Sequence, residues 1–398
     1  MWEQIRANQT RSVVLTIGMG VLLILIGYFL GLYFFDNAAA GLAIAILVWV
    51  VLSLIAYFQG DSILLGMSRA KKIKRDDHPR LYNVVEEMKI ASGLEKMPDI
   101  YIIDDPALNA FATGRDPNKA SVAITSGLLQ KLNRDELQGV IGHEISHIKH
   151  RDVLLMAMCG VLLGTIVILA WYGSRFLIFG GMGGSRRSSG GGGQAQIIIL
   201  IVALVFMILA PIFAQLIYLA ISRKREYLAD ASSALYTRYP EGLASALEKL
   251  GASTGQLKSA NKATAPMYIV NPFRKKGLRA SDLSSTHPPI SERIRILRAM
   301  AGASLSNYDE IYRQVHGGKG VIPAAGLAAG TVPIKTVKLE GEAGELDEVQ
   351  RARETSDVMW RLSNYKTIAC DCGAKLRVPP NFREPQIKCP RCGRTHRV

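Results

Sequence analysis

The stretch Val-Ile-Gly-His-Glu-Ile-Ser-His, residues 140–147, contains the pattern H-E-x-x-H. Residues four apart lie on one face of a helix, so His143 and His147 can each present a ring nitrogen to one Zn²⁺. Glu144 is then placed to act as the general base toward the water that such an ion activates. A helix is well signalled, because a capping-box spacing begins at Asn133 and apolar residues follow at helical intervals. The stretch therefore predicts a helix that carries two zinc ligands.

The third ligand has to come from outside this helix. His150 lies on nearly the same face, but it is about 10 Å along the axis from His143 at 1.5 Å per residue. The chain also lacks the glycine turn and third histidine that continue the pattern in one large group of zinc proteases. A chance occurrence of so short a pattern is the alternative, and the surrounding helix signals disfavour it.

Composition points to a membrane protein with room for two or three domains. The chain has 398 residues, of which 49% are hydrophobic. Four apolar runs reach the length of about 20 residues that one membrane crossing needs; they cover residues 13–35, 38–58, 153–172 and 196–222. A buried helical hairpin in a soluble core is the alternative for each run, and a signal peptide is a further alternative for the first.

The charge distribution predicts which side of the membrane the soluble parts occupy. The net charge of +15 is compatible with nucleic-acid binding, but in a membrane protein it more often marks cytoplasmic Lys and Arg. Basic runs at residues 69–75 and 223–225 adjoin apolar runs, whereas Arg186 and Arg187 in the Gly-rich loop 180–194 weakly oppose this orientation. We therefore expect four spans in the cell membrane, with the N-terminus, the soluble domain and the C-terminus in the cytoplasm.

The remaining sequence divides into soluble segments around these spans. A helix is predicted from Pro79 to about Ser92, and strands are predicted at residues 98–103 and 120–125. From residue 317 the composition shifts to Gly, Ala, Pro and Val, which is typical of a linker. The predicted organisation is a membrane hairpin at 1–60, a cytoplasmic domain at 61–152 and 223–316, a second membrane hairpin at 153–222, a linker at 317–345 and a final unit at 346–398.

The predicted topology suggests where the third ligand lies. The helix of His143 and His147 runs into the third span, and the chain returns to the same side of the membrane after the fourth. This return brings Glu226 and Asp230, four residues apart on one helical face, close to the histidine pair. One carboxylate can bind the metal while the other holds a histidine ring by its second N–H. The alternative is a solvated, charged helical turn beside the membrane.

Three motifs taken together resemble a known family. They are H-E-I-S-H-x-x-x-R-D, then R-E-x-x-A-D after a two-span hairpin, and then T-H-P-P-x-x-x-R-I. In this order they resemble the HtpX family of membrane zinc endopeptidases, relatives of the CAAX prenyl proteases, over about residues 10 to 300. The resemblance implies Zn²⁺ bound by His143, His147 and Glu226, with Glu144 as the base and Asp230 beside the ligands.

The same resemblance implies further roles near the metal. Asn109 and Ala110 would lie beside the substrate, whereas their sequence alone indicates only a strand connection with a glycine turn. His287 and Arg293 would line the cleft and donate to the developing oxyanion. The alternative for His287 is the first turn of a helix, because two prolines follow it.

A second metal site is predicted near the C-terminus, where four of the five cysteines lie: Cys370, Cys372, Cys389 and Cys392. Two such pairs are typical of a zinc ribbon, in which tetrahedral Cys₄ ligation folds a segment too small for a core. The first pair is C-x-C where C-x-x-C is usual, so His396 is a candidate substitute ligand. Disulfides are the alternative, which a cytoplasmic location disfavours.

The sequence thus predicts a mainly α-helical multi-pass membrane protein with a zincin-like core, a small β-sheet and a C-terminal zinc ribbon. Its expected reaction is zinc-dependent hydrolysis of internal peptide bonds, with protein or peptide substrates that include membrane proteins, in membrane-protein quality control. Two alternatives remain, a catalytically inactive membrane-tethered adaptor and a prenyl-protease-like enzyme. The basic ribbon is expected to dock a partner of unknown kind, and nucleic acid is the less favoured one.

Overall fold

The computed structural model describes residues 2–154, 223–253, 268–270, 287–318, 320–322 and 346–398, with scattered residues between them. It begins with two long antiparallel helices, α1 (Trp2–Phe35) and α2 (Ala38–Met67). Their backbones approach closely at small residues, because a Cβ added at Gly41 would lie 2.2 Å from the carbonyl oxygen of Gly27. Such small-residue contacts are typical of helix pairs in membranes.

Of the residues that the structure describes, one helix is long and apolar enough to cross a membrane. It is α2, whose most apolar window has a mean hydropathy of 2.7 and is only 6% buried. The predicted spans at 153–172 and 196–222 lie mostly outside the described residues, so the arrangement of four spans stays a prediction.

A four-stranded sheet follows, made of β1 (Lys71–Lys72), β2 (Asp99–Ile103), β3 (Ala110–Gly114) and β4 (Ala120–Thr125). Its spatial order is β1-β2-β4-β3. Strand β4 pairs in parallel with β2 and antiparallel with β3, which leaves β3 at one edge. One face of the sheet packs on the helices of the main core, and the other packs on Leu64 and Leu65 near the end of α2.

The soluble core contains the helices α3 (Pro79–Ser92), α4 (Ser126–Lys131), α5 (Arg134–Lys149), α6 (223–237), α7 (Pro240–Ala252), α8 (Ile290–Arg298) and α9 (Leu305–His316). Helix α5 lies at its centre. It packs against α3, α7 and strand β3, and glycines allow its neighbours to come close. A Cβ at Gly139 would lie 2.6 Å from the backbone nitrogen of Leu243 in α7, and Ser233 of α6 donates to the carbonyl of Gly139 at 2.6 Å.

The C-terminal unit consists of a helix and two short hairpins, and its helix is docked on the soluble core. Arg351 donates to the carbonyl of Gln130 at 3.3 Å, and Lys71 donates to that of Leu362 at 3.3 Å. Thr355 is fully buried between the helix and the core. The elements are α10 (Glu348–Leu362), β5 (Lys366–Ala369), β6 (Lys375–Val378), β7 (Gln386–Lys388) and β8 (Thr395–Arg397). The predicted linker lies mostly outside the described residues, and the domain boundaries stay predictions.

Candidate metal centre

The predicted helix of the H-E-x-x-H pattern is confirmed, together with its capping box. Asn133 accepts from the backbone N–H of Glu136 at 2.8 Å, and Glu136 accepts from that of Asn133 at 2.9 Å. One turn apart on this helix, the Nε2 atoms of His143 and His147 lie 3.3 Å from each other. The rings are turned edge to face with their centroids 4.8 Å apart, so both nitrogens point into one space.

Glu226 enters this space from α6. Its Oε2 lies 3.6 Å from Nε2 of His143, and its Oε1 lies 3.6 Å from Nε2 of His147. Bonds of about 2.0–2.1 Å to a tetrahedral zinc ion would place ligand atoms about 3.3–3.4 Å apart. The spacing of these three side chains therefore fits a zinc ion.

Two aspartates fix the orientation of the histidine rings. Nδ1 of His143 lies 2.9 Å from Oδ1 of Asp230, and Nδ1 of His147 lies 3.2 Å from Oδ2 of Asp152. Because a carboxylate accepts the proton on each Nδ1, each Nε2 keeps its lone pair. Two lone pairs therefore face each other beside Oε1 of Glu226, an arrangement that needs a cation.

The pKa shifts of His143 and Glu226 also favour a positive charge between these side chains. Burial lowers the pKa of His143, but hydrogen bonds to Asp230 and Glu226 outweigh burial and raise that pKa to about 9. Burial raises the pKa of Glu226, yet His287, His143 and Arg293 together hold it well below its ordinary value. Glu226 thus stays anionic, and the carboxylates around His143 favour positive charge at this position, which a proton or a bound cation can supply.

Glu144 lies on α5 beside the edge strand β3, and its side chain is only 1% exposed. Burial is the main cause that raises the pKa of Glu144; the charge of Glu226 adds to this increase, and His143 and His147 oppose it. The backbone N–H of Ala112 in β3 also lies close enough to stabilise the carboxylate. A carboxylate with a raised pKa beside a metal-binding cluster suits acid–base chemistry near neutral pH.

Arg293 lies behind the ligands and is fully buried. Its Nε and Nη2 donate to the two oxygens of Asp230 at 2.8 and 2.6 Å, and its Nη1 donates to the carbonyl of Ile269 at 3.3 Å. These bonds engage all three guanidinium nitrogens, and Nη1 also lies 3.4 Å from Oε2 of Glu226. Arg293 therefore contacts both carboxylates and is bonded most closely to Asp230. His287 is nearer to the ligands, with Nδ1 3.0 Å from Oε2 of Glu226.

Asn109 joins the start of β3 to the short segment 268–270. Its Nδ2 donates to the carbonyl of Val270 at 3.0 Å, and its Oδ1 accepts from the backbone N–H of Ala110 at 3.1 Å. The carbonyl of Ala110 in turn accepts from Ile269 at 3.0 Å. The structure therefore shows Asn109 in a structural link, and its predicted contact with substrate stays a prediction.

Sequence reasoning assigned no role to Asp152 or Arg225, which lie beside His147. Arg225 is 4% exposed, and its Nε is 3.5 Å from Oδ1 of Asp152. Burial raises the pKa of Asp152, but the charge of Arg225 and the contact with His147 lower it below the ordinary value. The sequence did point to both residues, because Asp152 ends the motif H-E-I-S-H-x-x-x-R-D and Arg225 begins the motif R-E-x-x-A-D.

The four C-terminal cysteines converge without forming disulfides. Sγ of Cys370 lies 3.5 Å from that of Cys392, and Sγ of Cys372 lies 3.6 Å from that of Cys389. A disulfide would need about 2.05 Å, whereas Zn–S bonds of about 2.3 Å would place tetrahedral sulfurs about 3.8 Å apart. His396 does not belong to this cluster.

Both cysteine knuckles end in a glycine with a positive φ, and the shorter first knuckle closes a turn that is one residue tighter. Gly373 has φ of +83° and donates to the carbonyl of Cys370 at 2.8 Å. Gly393 has φ of +75° and donates to the carbonyl of Cys389 at 2.9 Å. Each turn thus needs a residue that tolerates the left-handed region, and the C-x-C spacing still brings its two sulfurs to the cluster.

Comparison with known proteins identifies the family. The profile of peptidase family M48 matches residues 74–301, which contain the two histidines and both glutamates of the site. The chain belongs to peptidase family M48. It is also 43% identical over 300 residues to "Protease HtpX homolog" of Streptococcus pyogenes serotype M28, covering 75% of this chain and 100% of that protein.

A second protein of the same name, from Dictyoglomus turgidum, is 45% identical over 299 residues, which cover 75% of this chain and 94% of that protein. The predicted HtpX family is thus confirmed, and the protein is a membrane zinc metalloprotease.

Among solved structures, the crystal structure of S. mikatae Ste24p has 21% sequence identity and a TM-score of 0.41, covering 75% of this chain and 67% of that one. The cysteine cluster lies beyond the residues that the family profile matches.

Proposed function

We propose that the protein hydrolyses internal peptide bonds at the site formed by His143, His147 and Glu226, with Glu144 as the general base. The observation that carries this proposal is the convergence of three ligand atoms within 4.8 Å of one another, beside a buried glutamate. A zinc ion bound there would polarise the substrate carbonyl and activate water. Glu144 would accept a proton from the attacking water and pass it to the leaving amine, which its raised pKa favours.

The surrounding residues would hold this arrangement and the substrate. Asp230 orients His143, and Arg293 orients Asp230 through two hydrogen bonds. We assign Arg293 to this positioning role, whereas His287 keeps its predicted role as a donor to the developing oxyanion. Because the backbone N–H of Ala112 in β3 adjoins Glu144, the substrate would reach the site beside this strand and near Asn109.

The membrane setting of the reaction is also proposed. The long apolar helix α2 ends at Met67, and the basic run 69–75 follows immediately. By the positive-inside rule this run supports a cytoplasmic soluble domain, with the N-terminus and the C-terminus on the same side. A protease domain tied this closely to the bilayer suits membrane-protein substrates and a role in their quality control.

We further propose that Cys370, Cys372, Cys389 and Cys392 bind a structural zinc ion in a ribbon that docks an unidentified partner. The sulfur spacing supports this, and so does the small hydrophobic core of the two hairpins, which includes two of the cysteines themselves. So little apolar burial cannot hold a fold without a crosslink or a metal.

The experiment that tests the proteolytic function uses the full chain purified in detergent or in vesicles. It should cleave casein and an unfolded membrane protein, lose this activity on chelation and regain it with zinc. As a control, inhibitors of serine and cysteine proteases should leave the rate of cleavage unchanged. Zinc-loaded protein that cleaves neither substrate would contradict the proposal and favour a non-catalytic, membrane-tethered role.

A further inference from the structure

The two ends of the apolar segment 153–224 meet at one zinc-ligand histidine. Asp152 precedes the segment and Arg225 follows it, and Nε of Arg225 lies 3.5 Å from Oδ1 of Asp152. The other oxygen of Asp152 lies 3.2 Å from Nδ1 of His147. A single carboxylate therefore contacts both the far end of the segment and the ring that presents Nε2 to the metal cluster.

Burial makes this contact energetically important. The side chains of Asp152 and Arg225 are 2% and 4% exposed, and removing one partner of a buried ion pair leaves an uncompensated charge. No nitrogen of the Arg225 guanidinium forms a hydrogen bond of normal geometry with the part of the chain that the structure describes. Arg225 and Asp152 are thus held together chiefly by charge, at a distance that allows small movements.

The corresponding support of the other histidine is tighter. Asp230 lies 2.9 Å from Nδ1 of His143 and accepts two hydrogen bonds from Arg293, at 2.6 and 2.8 Å. Asp230 lies on α6, the helix that also carries Arg225, and Arg293 lies on α8. Each ligand ring therefore has an Asp–Arg support, but only the support of His147 is built from the ends of the apolar segment.

We infer that Asp152 and Arg225 are positioning residues, which hold the His147 ring for zinc and make its position depend on how the two ends of segment 153–224 pack together. The inference rests on the proposed zinc site. Asp152 orients the ring directly, and Arg225 acts through Asp152. A substrate or bilayer change that moves these ends apart would act on the His147 ring through Asp152.

The test measures zinc affinity in the full chain by competition with a chelator, so it needs no catalytic activity. We expect Asp152→Asn to weaken the more labile of two zinc ions by about 10- to 100-fold, the usual effect of removing a carboxylate behind a ligand histidine. Arg225→Met should weaken the same ion by a smaller factor, and Arg225→Lys should restore most of the affinity. The zinc ion of the cysteine ribbon serves as an internal reference.

A double variant separates positioning from simple packing. If Arg225 acts through Asp152, Arg225→Met should have little further effect once Asp152→Asn is present. The visible difference spectrum of the Co²⁺-loaded chain should change in both single variants, since it reports ligand geometry. Lys224→Met is the matched control, because it removes an exposed charge of the same basic run and should change neither readout.

Equal effects of Arg225→Met in both backgrounds would overturn the role of Arg225, and unchanged affinity and spectrum in Asp152→Asn would overturn the inference as a whole. A variant that fails to fold is recognised by its melting temperature, and Arg225→Lys then carries the test because it keeps the charge. Altered zinc affinity in a chain that cleaves nothing would leave the positioning role standing and refute only the proposed proteolysis.

Discussion

The two candidate metal centres of this chain are built in opposite ways. The His/His/Glu site joins α5 and α6, which are far apart in sequence, and its rings are held by Asp230 and Asp152 within a large core. The cysteine cluster lies within residues 370–392, and its core contains one buried side chain, Leu376, besides the cysteines. The fold therefore prepares the first site in advance, whereas the second must be held by its own metal.

At the first site the fold holds the metal ligands in place, whereas at the second site the metal holds the fold together. At the first site, the zinc ion would be bound by side chains that other hydrogen bonds already orient, so its loss should end activity without unfolding the domain. At the cysteine cluster, two short hairpins are joined chiefly through the sulfurs. Removing that ion should release the hairpins from each other.

The largest expected effect separates chemistry from metal binding at the first site. Glu144→Gln keeps the shape of the side chain but cannot accept a proton. The rate of peptide hydrolysis should fall by about 10²- to 10⁴-fold or more, the scale of removing a general base. Zinc content, measured on the purified protein, should stay at two ions per chain.

Glu95 provides a control for this variant, since Glu95→Gln removes the same charge from an exposed residue that belongs to neither cluster of candidate metal ligands. It should leave both hydrolysis and zinc content unchanged. Activity of the Glu144 variant within about tenfold of the unaltered enzyme would refute Glu144 as the base.

The next expected effect tests which carboxylate binds the metal. Glu226→Ala removes a ligand and should lower both activity and zinc content, from two ions per chain to one. Asp230→Asn should cost less, with a loss of zinc affinity of about 10- to 100-fold, because Asp230 only orients His143. Metal analysis of both proteins decides, and full occupancy in the Glu226 variant would show that the third ligand lies elsewhere.

The sequence predicted those parts of the His/His/Glu site whose residues lie close together in the chain. Residues His143 and His147 were found because their spacing lies within one helix, whose cap was also readable. The proximity of Glu226 followed from the expected return of the chain, and the structure brings it to the histidines.

The roles of Asp152 and Arg293 were less accessible to sequence reasoning. Arg293 contacts Asp230 and Asp152 contacts Arg225, and both contacts join residues far apart in the sequence. They therefore depend on packing angles and side-chain conformations that no spacing rule supplies. Arg293 reads equally well as a cleft residue or as a support for Asp230, and only its hydrogen bonds favour the latter. The docking of α10 on α4 was missed for a similar reason, because a short charged helix gives no sign of its partner.

Metal removal compares the two centres directly. After treatment with a strong chelator, amide hydrogens of strands β5 to β8 should exchange at least about tenfold faster, because the zinc ion supplies most of the stability of the hairpins. Amides of α5 should keep their protection, since its core is apolar and its cap is intact. Exchange followed by mass spectrometry gives both results, and equal loss of protection in α5 would contradict a preformed first site.

The smallest effect on activity is expected from removing the ribbon, provided that α10 is retained. Deleting residues 364–398 leaves the contacts of α10 with the core in place, including the buried Thr355 and Val358. Peptide hydrolysis should stay within about twofold of the full chain and one zinc ion should remain, because all the proposed chemistry precedes residue 300. We expect this deletion to impair instead the capture of particular substrates or partners.

Deleting residues 346–398 is the matched variant, since it also removes α10. The core then loses the burial supplied by Val358 and Met359, at about 1.5–3 kcal/mol for each large apolar side chain. It also loses the hydrogen bond from Arg351 to Gln130. We expect a melting temperature several degrees below that of the shorter deletion. Equal melting temperatures would show that α10 contributes nothing to the protease fold, and loss of all hydrolysis in the shorter deletion would place the ribbon in the active structure.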